Sequence, residues 1–198
     1  MTLTPEEVER IFRDAGALLE GHFVLASGRH SARYLEKFRV FERPRLTDRL
    51  CAGIVERVTT PIDTVAGPTT GGILLAHEVA RQMDRRAVYA EREEGQPGRA
   101  FRRGQVLRPG ERVLVVDDVL STGGSVRETL AAVRESGAVI VGAAVLVDRS
   151  GGMQLGTPLI ALWTTEIETF DPRSCPLCAR GVPALKPGTG RAALSANR

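Results

Sequence analysis

The sequence predicts an α/β fold: a central, mainly parallel sheet flanked by helices, with a small N-terminal element set upon it and an irregular C-terminal tail. Three observations carry this. After Asp63 come short segments that are apolar throughout, as strands covered on both faces are. Helical periodicity separates them, which is the grammar of βαβ units and not of a hairpin-built sheet. The chain has 198 residues, 42% hydrophobic and 26% charged, enough to bury the core of one globular domain.

Each element has its own signal. Thr4-Pro5-Glu6-Glu7 is a capping box, with Thr at the N-cap, Pro in the first turn and Glu at N3. Val8, Ile11, Phe12, Ala15, Leu18 and Leu19 follow at helical spacing and predict an amphipathic helix over 5–20. GHFVLASGRHSARYLEKF alternates apolar and polar residues about a Ser-Gly turn and reads as a short hairpin. Leu46, Leu50, Ile54 and Val55 mark a second helix that ends near Val58. Strands are expected over 63–66, 87–89, 113–116, 139–147 and 159–163, with helices over 73–83 and 125–136 and a polar stretch over 91–105. The tail from Pro172, rich in Pro, Gly and Cys, reads as irregular. The expected organisation is a single domain over 1–198: helix and hairpin over 1–42, α/β core over 43–170, tail over 171–198.

Charge and composition narrow the partners. A formal charge of +3 gives no footprint for nucleic acid or a membrane surface. Basic residues do gather locally at Arg99, Arg102, Arg103 and Arg108, which favours a small anionic ligand. No signal-peptide pattern and no bilayer-length apolar run is seen, and three cysteines do not make a disulfide framework. A reducing, cytoplasmic setting is the expectation.

The most informative stretch is RVLVVDDVLSTGGSV, residues 112–126. In an open parallel sheet, ligands bind at the carboxyl ends of strands, where loops lead into helices. Here a strand runs into Ser-Thr-Gly-Gly-Ser and then a helix. Backbone N–H groups, a helix N-terminus and the hydroxyls of Ser121, Thr122 and Ser125 would converge there, and Gly123 and Gly124 would let an anion approach the backbone. Those parts suit a phosphate. Asp117 and Asp118 do not, because carboxylates repel it; they suit a ligand that also carries hydroxyls or a divalent cation. A ribose 5-phosphate has both features. No Gly-Lys-Ser/Thr makes this a Walker loop, and no G-x-G-x-x-G makes it a dinucleotide site.

VLVVDDVLSTGGS resembles the signature of the type I phosphoribosyltransferases, which bind 5-phosphoribosyl 1-diphosphate. The resemblance implies that family's fold, with the hairpin as a hood. It implies that Asp117 and Asp118 hold ribose hydroxyls, and that Val119, Leu120, Ser121, Thr122, Gly123, Gly124 and Ser125 form the 5-phosphate loop. AGPTTGG, residues 66–72, resembles the family's pyrophosphate loop and implies diphosphate contacts from Thr69, Thr70 and Gly71. Two further stretches resemble orotate phosphoribosyltransferases in particular: FVLASGRHSARYLEKF, and LVDRSGG at the end of the long strand. They imply that Arg149 contacts the orotate carboxylate, with Ser121, Arg29 and Lys37 completing the orotate set. A guanidinium fork matches a carboxylate.

The resemblance reaches to about Phe170 and departs from the family in one loop. Where many members carry lysines and a histidine, this chain reads EREEGQPGRAFRRGQ. Its cations are arginines, which cannot act as general acids at neutral pH. Arg92 is expected to contact 5-phosphoribosyl 1-diphosphate, and Arg102 and Arg103 to offset charge on the leaving diphosphate. Ala26 stands where a lysine is common. The implied reaction transfers 5-phosphoribosyl to orotate, giving orotidine 5′-phosphate and diphosphate on the route to UMP. It implies Mg²⁺ held through the substrate, with Asp117 and Asp118 as candidate ligands, and a homodimer sharing its sites. A purine acceptor, or a nucleotide-sensing regulator of the same fold, are the alternatives. Arg149 argues against the first and the small charge against the second.

Cys175-Pro-Leu-Cys178 is a CxxC without a second pair. Only His22, His30 and His77 could add nitrogen ligands, and free thiols on a turn, an intersubunit zinc or disulfide, and redox chemistry all fit the pattern. Cys51 lies among apolar residues and is expected in the core.

Overall fold

The computed structural model describes residues 2–25 and 27–187. Ala26 and the last eleven residues of the expected tail, 188–198, lie outside the described residues.

Helix α1 (Pro5–Asp14) begins at the expected capping box: Thr4 Oγ1 accepts from the Glu7 amide at 3.3 Å, and the Thr4 amide donates to Glu7 Oε2 at 2.9 Å. It ends earlier than the spacing predicts. Gly16 takes a left-handed conformation (φ 67°), which turns the chain out of the helix. Leu18 and Leu19 therefore belong to strand β1 (Leu18–Val24), where they pair with Leu35 and Tyr34 of β2 (His30–Leu35). Apolar residues at i and i+3 served two elements here, and the glycine between them decided the boundary. Strand β9 (Thr169–Phe170) adds to β2 antiparallel, so the hood is a three-stranded sheet ordered β1-β2-β9.

Helices α2 (Phe38–Phe41) and α3 (Pro44–Val55) lead into the core. The main sheet contains β3 (Thr64–Pro68), β4 (Arg86–Glu91), β5 (Ala100–Phe101), β6 (Arg112–Leu120), β7 (Val139–Asp148) and β8 (Leu159–Thr164), in the order β5-β4-β3-β6-β7-β8. All neighbours are parallel except β5, which turns back on β4 inside the polar stretch. Helix α4 (Gly71–Met83) follows β3 and α5 (Gly124–Glu135) follows β6. The tail is less irregular than expected: a 3₁₀ turn (Pro172–Ser174) and a short helix α6 (Pro176–Ala179) precede a bridge from Leu185 to Phe23.

Period-two alternation assigns the two cores. Val113 and Val115 of β6, with Ala143 and Val145 of β7, pack under α5 against Val126, Leu130 and Val133. Leu114 and Val116, with Ala144 and Leu146, face the opposite layer of α1, α3 and α4. Each fully buried leucine, such as Leu114 or Leu130, contributes roughly 1.5–3 kcal/mol by area burial. β6 is longer than the expected 113–116, because its ladder with β7 continues through Asp117↔Val145, Val119↔Val147 and Leu120↔Asp148. The two acids sit within the strand, and the alternation that sorts the valines also sorts them.

Candidate active site

Because successive side chains on a strand leave opposite faces, Asp117 and Asp118 are held by different layers. Asp117 points to α5: its Oδ2 accepts from Ser125 Oγ at 2.6 Å and its Oδ1 from the Asp118 amide at 2.9 Å. Ser125 is in the first turn of α5, so the carboxylate also lies near a helix N-terminus. Asp118 points to the other side, where Lys37, at the exit of β2, sets its ammonium 2.8 Å from Oδ1 and 2.7 Å from Oδ2. Gly71, the first residue of α4, packs directly against that carboxylate, and a Cβ there would overlap Asp118 Oδ2.

Both acids are buried, at 5% and 3% exposure. Burial pushes Asp117 up to about 6, with the neighbouring Asp118 charge adding to it and the Ser125 hydroxyl opposing it. Burial raises Asp118 as well, against the pull of Lys37. Two adjacent carboxylates removed from water, with the Lys37 ammonium set against one of them, are costly without a ligand that uses them.

A cavity of about 460 Å³ opens above this strand end. Lys37, Thr69, Thr70, Gly71, Asp117, Asp118, Val119, Ser121, Ser125 and Arg149 all line it. Sequence positions as far apart as 37 and 149 are thus brought to one wall. The Thr69–Thr70 peptide in the loop after β3 is cis. Arg149 follows β7, tied to β6 by its amide donating to the Leu120 carbonyl at 2.9 Å. Its guanidinium is half-buried, which lowers its pKa, and no carboxylate among the described residues pairs with it.

Other expected residues stand elsewhere. Leu120 is a core residue of the α5 layer, and Thr122 and Gly123 form the turn into α5, which Gly124 opens. Gly123 has φ 73°, and a Cβ there would run into Met153 Sδ, so this turn requires glycine twice over. Arg29 stitches the hood, with Nε donating to Thr169 Oγ1 at 2.8 Å and Nη2 to the Thr169 carbonyl at 2.7 Å. Arg92, just after β4, pairs with Glu128 of α5 (2.6 Å), while Arg102 and Arg103, just after β5, pair with Glu93 (3.2 Å) and Glu91 (2.9 Å); all three arginines are exposed.

Arg99, one of the arginines expected to meet the diphosphate, is only 9% exposed and donates from Nη1 to Thr69 Oγ1 at 2.8 Å, in the loop after β3. Other neighbours of the cavity had no clear signal in the sequence. Val24, Leu25, Tyr34 and Leu35 of the hood form an apolar and aromatic roof. Lys186 and Pro187 enter from the tail, carried there by the Leu185 amide donating to the His22 carbonyl at 2.8 Å.

The phosphoribosyl transferase domain family matches residues 42–155. An orotate phosphoribosyltransferase of Caldicellulosiruptor bescii is 48% identical over 182 residues, which cover 91% of this chain and 95% of the relative. Another, from Pelotomaculum thermopropionicum, is 48% identical over 189 residues, with 94% and 98% covered. Among solved structures, orotate phosphoribosyltransferase from Aeropyrum pernix superposes with a TM-score of 0.69 at 28% identity, over 79% of this chain and 93% of that one. Adenine phosphoribosyltransferase from Thermoanaerobacter pseudethanolicus reaches 0.65 at 17% identity, over 82% and 100%, a likeness of fold.

Proposed function

The chain belongs to the orotate phosphoribosyltransferases of the phosphoribosyl transferase domain family, and from that premise we propose how its own residues carry the reaction. The activity is transfer of the 5-phosphoribosyl group from 5-phosphoribosyl 1-diphosphate to orotate, a step of pyrimidine biosynthesis. The observation that carries the site assignment is the joining, in one cavity, of two buried carboxylates, a small-residue helix entrance and an unpaired guanidinium.

In this reading the 5-phosphate rests on the loop 119–125, against the backbone N–H groups and hydroxyls that open α5. Asp117 and Asp118 accept from the ribose hydroxyls with the lone pairs that Ser125, the Asp118 amide and Lys37 leave unused. As the C–O bond at the anomeric carbon breaks, positive charge grows on the sugar, and carboxylates held in a water-poor wall stabilise it electrostatically. The diphosphate leaves past Thr69, Thr70 and Gly71, with Arg99 bracing Thr69 from below. Arg92, between β4 and β5, and Arg102 and Arg103, just after β5, offset its charge. Orotate lies under the hood with its carboxylate on the Arg149 guanidinium and Ser121 beside it, and Lys37 borders the same space. The charge of orotate at neutral pH is that of its carboxylate, so the N1 that bonds to the anomeric carbon still carries a proton. That proton leaves as the C–N bond forms and the C–O bond breaks, and is taken up by the departing diphosphate or by water. The protein contributes positioning and charge.

Hard oxygen donors at Asp117 and Asp118 are compatible with Mg²⁺, but the ammonium of Lys37 already faces both oxygens of Asp118. That favours an ion held mainly by substrate oxygens, as Mg²⁺ prefers. Bound there, the ion supplies charge neutralisation for the diphosphate. A homodimer in the cytoplasm completes the proposal; among the described residues no helix is long and apolar enough to cross a membrane.

The deciding experiment supplies Mg²⁺ and 5-phosphoribosyl 1-diphosphate and offers orotate, adenine, guanine and uracil separately. Consumption of orotate alone is expected, and consumption of a purine in its place overturns the reading. In the same assay, Asp117→Asn with Asp118→Asn is expected to cut turnover by about 10²–10³-fold while the far-ultraviolet circular dichroism stays that of the parent. Near-parental turnover in that variant removes the carboxylates from the mechanism.

A further inference from the structure

Outside the substrate cavity, the described residues bring one other set of chemistry-bearing side chains to a point. The CxxC of the tail, Cys175 and Cys178, meets His22 of β1 and His30 of β2, and the four ligand atoms lie within 4.8 Å of one another. We propose that His22 Nε2, His30 Nδ1 and the thiolates of Cys175 and Cys178 bind one Zn²⁺ per chain, in a closed tetrahedral site that fastens the C-terminal segment to the hood.

The spacing matches such a site. Arms of about 2.0–2.1 Å to nitrogen and 2.3 Å to sulfur give a tetrahedron with edges of about 3.3–3.8 Å. Of the six edges, Cys175 Sγ to His22 Nε2 is 3.6 Å, Cys178 Sγ to His22 Nε2 is 3.8 Å and Cys178 Sγ to His30 Nδ1 is 3.3 Å, and the longest separation in the set stays within 4.8 Å, about an ångström beyond an ideal edge. The His22 Nε2 to His30 Nδ1 edge is shorter, 2.8 Å, and an ion between them has only to part the rings by about half an ångström.

The surroundings also select the ligand atoms. His22 Nδ1 lies 2.7 Å from the Val182 carbonyl, which can only accept, so the proton of the neutral ring is on Nδ1 and the lone pair of Nε2 faces the cluster. Metal-bound histidines commonly have their second nitrogen fixed in this way. Two nitrogens and two thiolates are a borderline-soft set that suits Zn²⁺ and not Mg²⁺. All four ligands come from one chain, with no position left open for a substrate, which makes the site structural. His22 and Cys175 are separated by 153 residues, so neither the turn of α6 nor the hairpin alone accounts for their meeting.

The full-length protein, purified under reducing conditions, is expected to carry about one equivalent of Zn²⁺ by elemental analysis. Exchange with Co²⁺ is expected to give the visible d–d bands of a tetrahedral ion and a thiolate-to-metal charge-transfer band. Cys178→Ser is expected to lose most of the metal and the charge-transfer intensity, whereas Cys178→His, which keeps a ligand, retains metal. Circular dichroism of both variants separates ligand loss from unfolding. Metal-free protein that also gives no Co²⁺ bands on titration of its reduced thiols overturns the proposal, and so does Zn²⁺ content unchanged by Cys178→Ser. A Cys175–Cys178 disulfide that persists in the purified chain and excludes metal overturns it equally. None of these outcomes depends on phosphoribosyl transfer.

Discussion

The ammonium of Lys37 straddles the carboxylate of Asp118, 2.8 Å from one oxygen and 2.7 Å from the other. A hood residue thereby supplies a cation set against a buried acid of the core sheet. Removing it leaves that acid to carry its charge alone or to take up a proton.

Lys37→Ala should therefore destabilise the ligand-free protein in a pH-dependent way. With Asp118 ionised, losing one member of a buried pair costs about 3 kcal/mol, the lower end of such losses because Lys37 is one-third exposed. Below the titration of Asp118 the cost should shrink, since a neutral carboxyl needs no counter-charge. Denaturant melts of parent and variant at pH 4 and pH 8 measure this; an equal difference at both would show that Lys37 acts through packing alone.

Asp117 makes a prediction of opposite sense. Its folded-state pKa, near 6, lies above that of an unfolded Asp, so the native state binds the extra proton between about pH 4 and 6. The stability that this protonation provides is present below pH 4 and lost as pH rises through 6. Asp117→Asn cannot ionise, so above pH 6 it should be more stable than the parent by about 1–3 kcal/mol, with the advantage fading toward pH 4. A variant less stable than the parent across the whole range would mean that the Ser125 and Asp118 hydrogen bonds outweigh the buried charge.

Arg149→Ala should act on the acceptor alone. A charge-assisted hydrogen bond is worth about 1.5–3 kcal/mol, so the KM for orotate should rise by roughly 10- to 150-fold. The KM for 5-phosphoribosyl 1-diphosphate should stay within about twofold, because the proposal places the guanidinium on the orotate carboxylate and not on the ribose or diphosphate. Comparable rises for both substrates would move Arg149 out of the acceptor subsite.

Gly71→Ala tests the close approach of α4 to the acid. The new methyl meets the Asp118 carboxylate, and overpacking of this kind costs about 1–3 kcal/mol. The displaced carboxylate should also lower turnover, so both thermal stability and kcat should fall. A parental kcat would show that Asp118 has room to move without consequence.

The fold was legible because strands buried on both faces and helices with caps leave strong periodic signals. The site was legible because its main loop is continuous in sequence, from Val113 to Ser125. What stayed hidden was long-range. Two residues of β9 pair with β2 from 140 positions away, and nothing in Thr169–Phe170 marks a strand. The α1 boundary was misread because Leu18 and Leu19 fit a helical period as well as a strand. That Asp117 and Asp118 serve different layers follows from strand alternation, once the strand is known to continue through them. The grouping of His22, His30, Cys175 and Cys178 depends on where the tail returns, which local pattern does not encode.

That return has a consequence for how the molecule is made. The hood that carries the roof is the sheet β1-β2-β9 with the Leu185 bridge to Phe23, so it needs segments from both the N-terminal and the C-terminal part of the chain. The doubly covered sheet, by contrast, is complete by Thr164. During synthesis the sheet can close while the hairpin waits, its ordering deferred by the closure of a loop of about 140 residues. Removal of the segment from Thr169 onward should therefore leave a folded body whose hood lacks its third strand, with the pocket less covered.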